Sequence, residues 1–254
     1  MRRSMLFLPG NNPNMLINGG TLGADAIIFD LEDAVSPAEK DAARILVRNT
    51  MRYMDFRGCE IIVRINSVDT AYWQKDLDMI LPLKPALILL PKSGSTADVL
   101  AADEYMTQLE ETLGFAPNTV GLMPLIETAM GVENSFAIAS CTKRVQALFL
   151  GAEDLTADLQ CKRTKEGREI EYARTRLVVA ARAAGVDVYD TPFTDVNDDE
   201  GIYVDAQKAK SLGFTGKASI SPRHVEVINA VFSPTQKEID YAYEVMEAIE
   251  TAKA

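Results

Sequence analysis

One histidine and three cysteines are all that this 254-residue chain offers a soft or borderline metal or a nucleophilic relay. Cys59, Cys141 and Cys161 lie far apart, so neither a disulfide framework nor a zinc site is expected. They read as the reduced thiols of a cytoplasmic protein. A Ser-His-Asp relay would rest on His224 alone, and His224 follows Pro222-Arg223 at a helix start, where a solvated or capping role is expected. No cluster of His and Cys suits a transition metal. Glycines do not form a G-x-G-x-x-G fingerprint, and there is no phosphate-binding P-loop. Positive charge is also scarce. A net charge of -11 argues against nucleic acid as a partner, because that requires a basic footprint. No apolar run approaches the roughly 18 residues of a membrane-spanning helix. Met1-Arg2-Arg3 ahead of residues 5–8 has the outline of a signal peptide, but the apolar stretch is short and Pro9-Gly10 breaks it. It reads as a first strand.

Short apolar runs recur instead, at 5–8, 26–29, 61–65, 87–90, 120–125, 147–150, 186–189 and 218–220. The stretches between them have helical spacing. Ser36-Pro37-Ala38-Glu39 has the form of a capping box with Pro at the first helical position, leading into Ala42, Ala43, Leu46 and Val47. Ser221-Pro222 and Ser233-Pro234 repeat the Ser-Pro start. Residues 167–185 form an Ala- and Arg-rich helix that Gly185 should stop. Strands that alternate with helices pair in parallel, since parallel strands need crossover connections. The length fits one (β/α)8 barrel domain; a doubly wound open sheet has the same alternation and is the rival. No repeat or low-complexity linker divides the chain, so residues 1–254 are taken as one domain. Its last helix, about 234–253, carries Ile239, Tyr243, Met246 and Ile249 on one face, to pack on the barrel or on a neighbouring subunit.

Residues able to do chemistry follow the strands rather than precede them. Asp30-Leu31-Glu32-Asp33 follows the second run, Arg64 and Asn66 the third, Pro91-Lys92 the fourth, Glu127 the fifth and Asp154 the sixth. Asp190 follows the seventh, and residues 219–221 close the eighth. In a barrel all these points face one mouth, where the active site lies. Glu127 and Asp154 stand out because each ends a buried run, where a lone carboxylate is costly. Side by side they would make an oxygen-rich pocket for a hard cation such as Mg2+. Taken singly, each could equally cap a helix or meet an arginine. A carboxylate-bound cation with an Arg and a Lys suits an anionic, oxygen-rich substrate held by chelation.

Six segments in order carry a resemblance: Arg3-Ser4-Met5-Leu6-Phe7-Leu8-Pro9-Gly10, Asp30-Leu31-Glu32-Asp33-Ala34-Val35, Val63-Arg64-Ile65-Asn66, Pro91-Lys92, Pro124-Leu125-Ile126-Glu127-Thr128 and Leu150-Gly151-Ala152-Glu153-Asp154-Leu155. Together they resemble the citrate lyase β-subunit family of the HpcH/HpaI aldolase-like barrels, which includes malyl- and citramalyl-CoA lyases and related thioesterases. The segment 216–223 resembles the citrate lyase β subunit more than the CoA lyases.

The resemblance implies a Mg2+-dependent barrel, trimeric or larger, that breaks a C–C bond in a 3-hydroxyacyl thioester carried by CoA or an acyl carrier protein, in some cases within a lyase complex. It implies Glu127 and Asp154 as metal ligands. Arg64 would bind substrate and stabilise the enolate oxygen, and Glu32 and Asp33 would hold metal-bound waters. Arg3 and Lys92 are candidates for the carrier's phosphates or for site architecture. A citryl thioester would give oxaloacetate and an acetyl thioester; a malyl-CoA-type hydrolase and a non-catalytic assembly subunit are the alternatives. No residue stands out to protonate the enolate, and Asp33 and Asp190 are the first carboxylates to consider. Many relatives continue into a segment that covers the mouth. Since this chain stops at Ala254, it is expected to lack that segment and, alone, to leave the site open and act slowly on free thioesters.

Overall fold

The computed structural model describes residues 1–253. Eight strands form a closed parallel barrel in sequence order: β1 (Ser4–Pro9), β2 (Ala26–Asp30), β3 (Glu60–Arg64), β4 (Leu87–Leu90), β5 (Gly121–Ile126), β6 (Ala147–Leu150), β7 (Asp187–Asp190) and β8 (Gly216–Ser219). Every expected strand is present, with ends shifted by at most two residues. β8 also pairs with β1, through Ser4 opposite Lys217, so the open-sheet rival is excluded. The helices are α1 (Pro13–Asn18), α2 (Lys40–Tyr53), α3 (Trp73–Ile80), α4 (Thr96–Leu113), α5 (Ala129–Glu133), α6 (Ser135–Ser140), α7 (Ala152–Asp158), α8 (Glu171–Ala184), α9 (Asp199–Leu212), α10 (Pro222–Phe232) and α11 (Gln236–Lys253). None is long and apolar enough to cross a membrane among the described residues.

The period-two alternation of the strands divides the core into two shells. Met5, Ala26, Ile28, Ile62, Leu89, Met123 and Phe149 plug the barrel interior. The residues between them, such as Leu6, Leu8, Ile27, Val63 and Ile88, face the helices. Each such fully buried aliphatic or aromatic side chain contributes roughly 1.5–3 kcal/mol. Helix ends follow local chemistry. Gly185 stops α8 in the left-handed conformation at φ 72°, and Ser221 caps α10 with Pro222 at its first position.

Two helix starts differ from expectation. Residues 37–39 form a tight 3-10 turn ahead of α2, and Ser36 Oγ donates to the Glu39 carboxylate instead of completing a capping box. The last helix starts at Gln236 because Thr235 and Glu238 make the reciprocal cap: Thr235 N–H donates to Glu238 Oε2 and Glu238 N–H to Thr235 Oγ1. The expected face of α11 does not pack on its own barrel: Tyr243 is 67% and Met246 58% exposed.

Candidate active site at the strand ends

The inward parity of each strand continues past its last residue and decides what enters the mouth. Phe7 and Pro9, Asp30, Arg64, Leu125 and Glu127, Phe149 and Gly151, Thr191 and Ile220 all line one cleft of about 460 Å3, together with Asp33 and Asp154. Arg64 is its fixed point. Its Nε and Nη2 donate to the two oxygens of Asp30 at 2.7 and 2.6 Å, the paired geometry that guanidinium favours. Asp30 is the register partner of Arg64 across β2 and β3, and it also accepts the N–H groups of Glu32 and Ala34. The remaining Nη1 reaches Glu32 at 3.0 Å and Asp33 at 3.5 Å. The guanidinium lies 5.3 Å from the centre of the Phe7 ring, and Phe7 packs edge-on against Phe149. Burial opposes the Arg64 charge, but Asp30, Glu32 and Asp33 outweigh it and raise its pKa, so the cation is permanent.

Glu32 is buried between Arg64 Nη1 and Lys92 Nζ, the latter 3.0 Å away. Burial nevertheless pushes its carboxyl above the ordinary range, against the pull of both cations. Lys92 follows β4 in a left-handed turn at φ 52°, a conformation that costs a side-chain-bearing residue about 1–2 kcal/mol. The turn aims its N–H at Glu127 Oε1, 2.6 Å away. Glu127 is 3% exposed. Its pKa is pushed up to about 8, chiefly by burial and further by Glu32 and Asp154, against the Lys92 N–H and Arg64. Room for it comes from Gly151: a Cβ there would sit 2.7 Å from Glu127 Oε2 and 2.8 Å from Glu127 Cβ. Asp154 lies in the first turn of α7, whose opening N–H, at Ala152, donates to Thr191 Oγ1.

Among the described residues no three His, Cys, Asp or Glu side chains converge to hold a metal ion. Of the cleft's carboxylates, Glu127 and Asp154 follow the adjacent strands β5 and β6, and a small hard cation that keeps several waters and takes further oxygens from its substrate asks for no more. The buried, charge-crowded Glu127 fits such a group, since a divalent cation would relieve both burdens on its carboxylate. Gly151→Ala should displace Glu127 and cost about tenfold or more in magnesium affinity, in line with losses from supporting residues at metal sites, without unfolding the barrel. Isothermal titration with Mg2+ measures this, and an unchanged affinity would show that the contact is not needed.

Three expectations require correction. Arg3 stands at the opposite end of the barrel, where it forms a two-pronged pair with Asp25 ahead of β2 and donates to Ser233; a residue preceding its strand cannot reach the mouth. Asp190 has outward parity. It sits fully buried with Lys217, its register partner on β8, and with Arg174 and Asp205 from α8 and α9, so it is structural. Lys217 also donates to the carbonyl of Thr191 at 2.6 Å. His224 is neither solvated nor a cap: it is fully buried beside Phe193, and burial lowers its pKa. Of the two carboxylates considered as proton donors, only Asp33 lines the cleft, with 54% of its side chain exposed.

The HpcH/HpaI aldolase/citrate lyase family profile matches residues 3–222. This chain belongs to that family. Among its relatives, the citrate lyase subunit beta of Leuconostoc mesenteroides subsp. cremoris is 44% identical over all of this chain and 84% of its own length. An L-malyl-CoA/beta-methylmalyl-CoA lyase of Cereibacter sphaeroides is 34% identical, over 99% of this chain and 85% of its own. A citrate lyase beta subunit from M. tuberculosis, solved with oxaloacetate and magnesium, superposes with a TM-score of 0.77 at 30% identity, covering 92% of this chain and 97% of the other. The barrel described above is thus the fold this chain shares with the family's solved citrate lyase beta subunit.

Proposed function

We propose that this member of the HpcH/HpaI family is a Mg2+-dependent carbon–carbon lyase that cleaves a citryl-type 3-hydroxyacyl thioester to oxaloacetate and an acetyl thioester. The observation that carries it is the meeting of Glu127, Asp154 and Arg64 at one cleft. The citrate lyase relatives, one of them solved with oxaloacetate and magnesium, support the choice of substrate. Glu127 and Asp154 would hold the cation, which when bound supplies Lewis-acid polarisation of substrate oxygens.

This chain's own groups do the rest. Asp30 fixes two nitrogens of Arg64 and leaves Nη1 to Glu32 and to the cleft-lining Asp33. That donor would bind the thioester end of the substrate and stabilise the oxygen on which charge develops as the C–C bond breaks. Glu32 sets the reach of both Arg64 and Lys92 and would orient water rather than bind substrate. Phe7, Leu125, Phe149 and Ile220 supply an apolar wall, which excludes water and strengthens charge interactions inside. Asp33, open to solvent at the rim, is the carboxylate placed to exchange the proton the product needs. We place this activity in the cytoplasm, in a homotrimer or larger assembly, on a thioester of CoA or of a carrier protein.

A panel of 3-hydroxyacyl thioesters with Mg2+, assayed for products, tests the reading. Release of a 2-oxoacid is expected. Release of a free 3-hydroxy diacid would make the protein a thioesterase, and no turnover with any thioester would leave an assembly role.

The Glu127 carboxyl also sets a pH dependence. Below about 8 a proton competes with the cation, so magnesium affinity should fall about tenfold per pH unit as pH drops. Without the cation the sign for folding runs the other way: the native state holds this proton more tightly than the unfolded chain, so stability falls as pH rises from the ordinary value of 4.5 to about 8. Melting curves from pH 5 to 9, with and without Mg2+, should diverge as pH rises.

A further inference from the structure

Hydrogen-bond donors are scarce at the mouth. Of the side chains lining its cleft, only Arg64 and Thr191 carry a donor hydrogen; the other polar ones are carboxyls. Lys92 is engaged with Glu32, and the buried Lys40 with the Leu31 and Glu32 carbonyls. Thr191 is held from two sides. It follows β7 with the inward parity of Tyr189, and the Lys217 ammonium donates to its carbonyl at 2.6 Å. Its Oγ1 accepts the Ala152 N–H at 3.2 Å. A hydroxyl that accepts still has its own hydrogen to give, and this one meets no acceptor among the described residues. Thr191 is only 1% exposed, so a hydrogen bond left unmade there is costly.

Position around the ring decides what that hydrogen can serve. Arg64 ends β3, Glu127 and Asp154 follow β5 and β6, and Thr191 follows β7. In the closed ring, β3 and β7 stand opposite each other. A substrate with its thioester end at Arg64 and its hydroxyl-bearing carbon by Glu127 and Asp154 therefore turns its remaining arm toward Thr191. In a citryl thioester that arm is a carboxymethyl group; in a malyl thioester it is a hydrogen atom. Resting on the lyase reading above, we infer that Thr191 is a specificity-determining residue whose Oγ–H donates to the second free carboxylate of the substrate. A neutral donor suits this place. A lysine or arginine after β7 would be drawn to the neighbouring carboxylates, as Arg64 is to Asp30, whereas a hydroxyl keeps its hydrogen for the ligand. A site that hydrogen-bonds one substrate group rejects the analogue that lacks it.

Equilibrium titration of the full chain with two 2-oxoacids in the presence of Mg2+ tests this without requiring turnover. Oxaloacetate and pyruvate share the 2-oxoacid head and differ only in the second carboxylate. Thr191→Val keeps the shape and removes the hydroxyl. It should weaken oxaloacetate binding by about tenfold or more, the usual effect of a lost hydrogen bond to a charged group, and leave pyruvate binding nearly unchanged. Thr191→Ser restores a hydroxyl and should recover oxaloacetate binding. Equal losses for both acids would mean that Thr191 only supports α7 through the Ala152 N–H, and would overturn the inference. So would an unchanged oxaloacetate affinity, which would put the carboxylate on main-chain donors, or a serine variant that behaves like the valine one. A wild type that binds neither acid would count against the lyase reading itself, and the inference would fall with it.

Discussion

Glu127→Gln and Asp154→Asn should each lower magnesium affinity by about a hundredfold or more and abolish turnover, while the melting temperature without metal stays the same or rises. The floor comes from the ten- to hundredfold cost of losing even a residue that only supports a ligand; a ligand itself matters more. The rise in melting temperature follows from the surroundings of Glu127. Glu127 is 3% exposed, its carboxyl is crowded by the charges of Glu32 and Asp154, and its pKa is pushed up to about 8, chiefly by burial. Above about pH 8, where that carboxyl is ionised, a neutral amide of the same shape loses the penalty of the charge; below it the two are nearly equivalent, and the amide can still accept the Lys92 N–H through its oxygen. Asp154 is half-buried on α7, so its amide variant should be close to neutral for folding. Calorimetric titration and thermal melting together check both halves. Unchanged affinity in both variants would remove these two residues from the metal site.

Arg64→Lys should lower turnover by about 10²–10³-fold, the usual cost of losing one donor aimed at developing negative charge, with magnesium affinity little changed. Lysine keeps the charge but not the fork. Arginine spends two nitrogens on Asp30 and still has Nη1 for Glu32 and the cleft. A single ammonium cannot do both, and it would settle on the buried Asp30. The loss should therefore appear in kcat, since the group missing is one needed as the bond breaks. A lysine variant with near wild-type kcat would make Arg64 a structural counter-ion and move the search for the donor to Lys92.

The barrel was legible because eight apolar runs alternate with amphipathic stretches, and a parallel sheet leaves few other ways to connect them. The pooling of polar residues after the strands placed Asp30, Glu32, Arg64, Lys92, Glu127 and Asp154 at the same end, where the structure has them. Strand parity was the signal left unused. Positions 26, 28 and 30 share one face, which sends Asp30 inward to clamp Arg64; positions 188 and 190 share the other, which sends Asp190 outward to Arg174 and Lys217. A slip of one residue exchanges the faces of a strand, and naming a strand end without its parity cannot separate a site carboxylate from a structural one. Arg3 was misplaced for a simpler reason: its motif begins before β1, and only the end of that motif, from Phe7 on, reaches the mouth. The fit of Gly151 under Glu127 was not legible from spacing, since a Cβ contact exists only once β5 and β6 are side by side.

The crowding of Asp30, Glu32, Asp33, Glu127 and Asp154 around Arg64, Lys92 and the buried Lys40 has a kinetic side. An anionic substrate approaching the bare cleft meets more carboxyl groups than cations, Arg64 and Lys92 are already engaged by carboxylates, and Lys40 is held by the Leu31 and Glu32 carbonyls. A divalent ion reverses that balance near the site where the substrate's own carboxylate must settle. The favoured order of arrival is therefore metal first and thioester second, with departure in the reverse sequence. Raising magnesium should then act chiefly on the rate of productive encounter at low substrate and little on the rate at saturation.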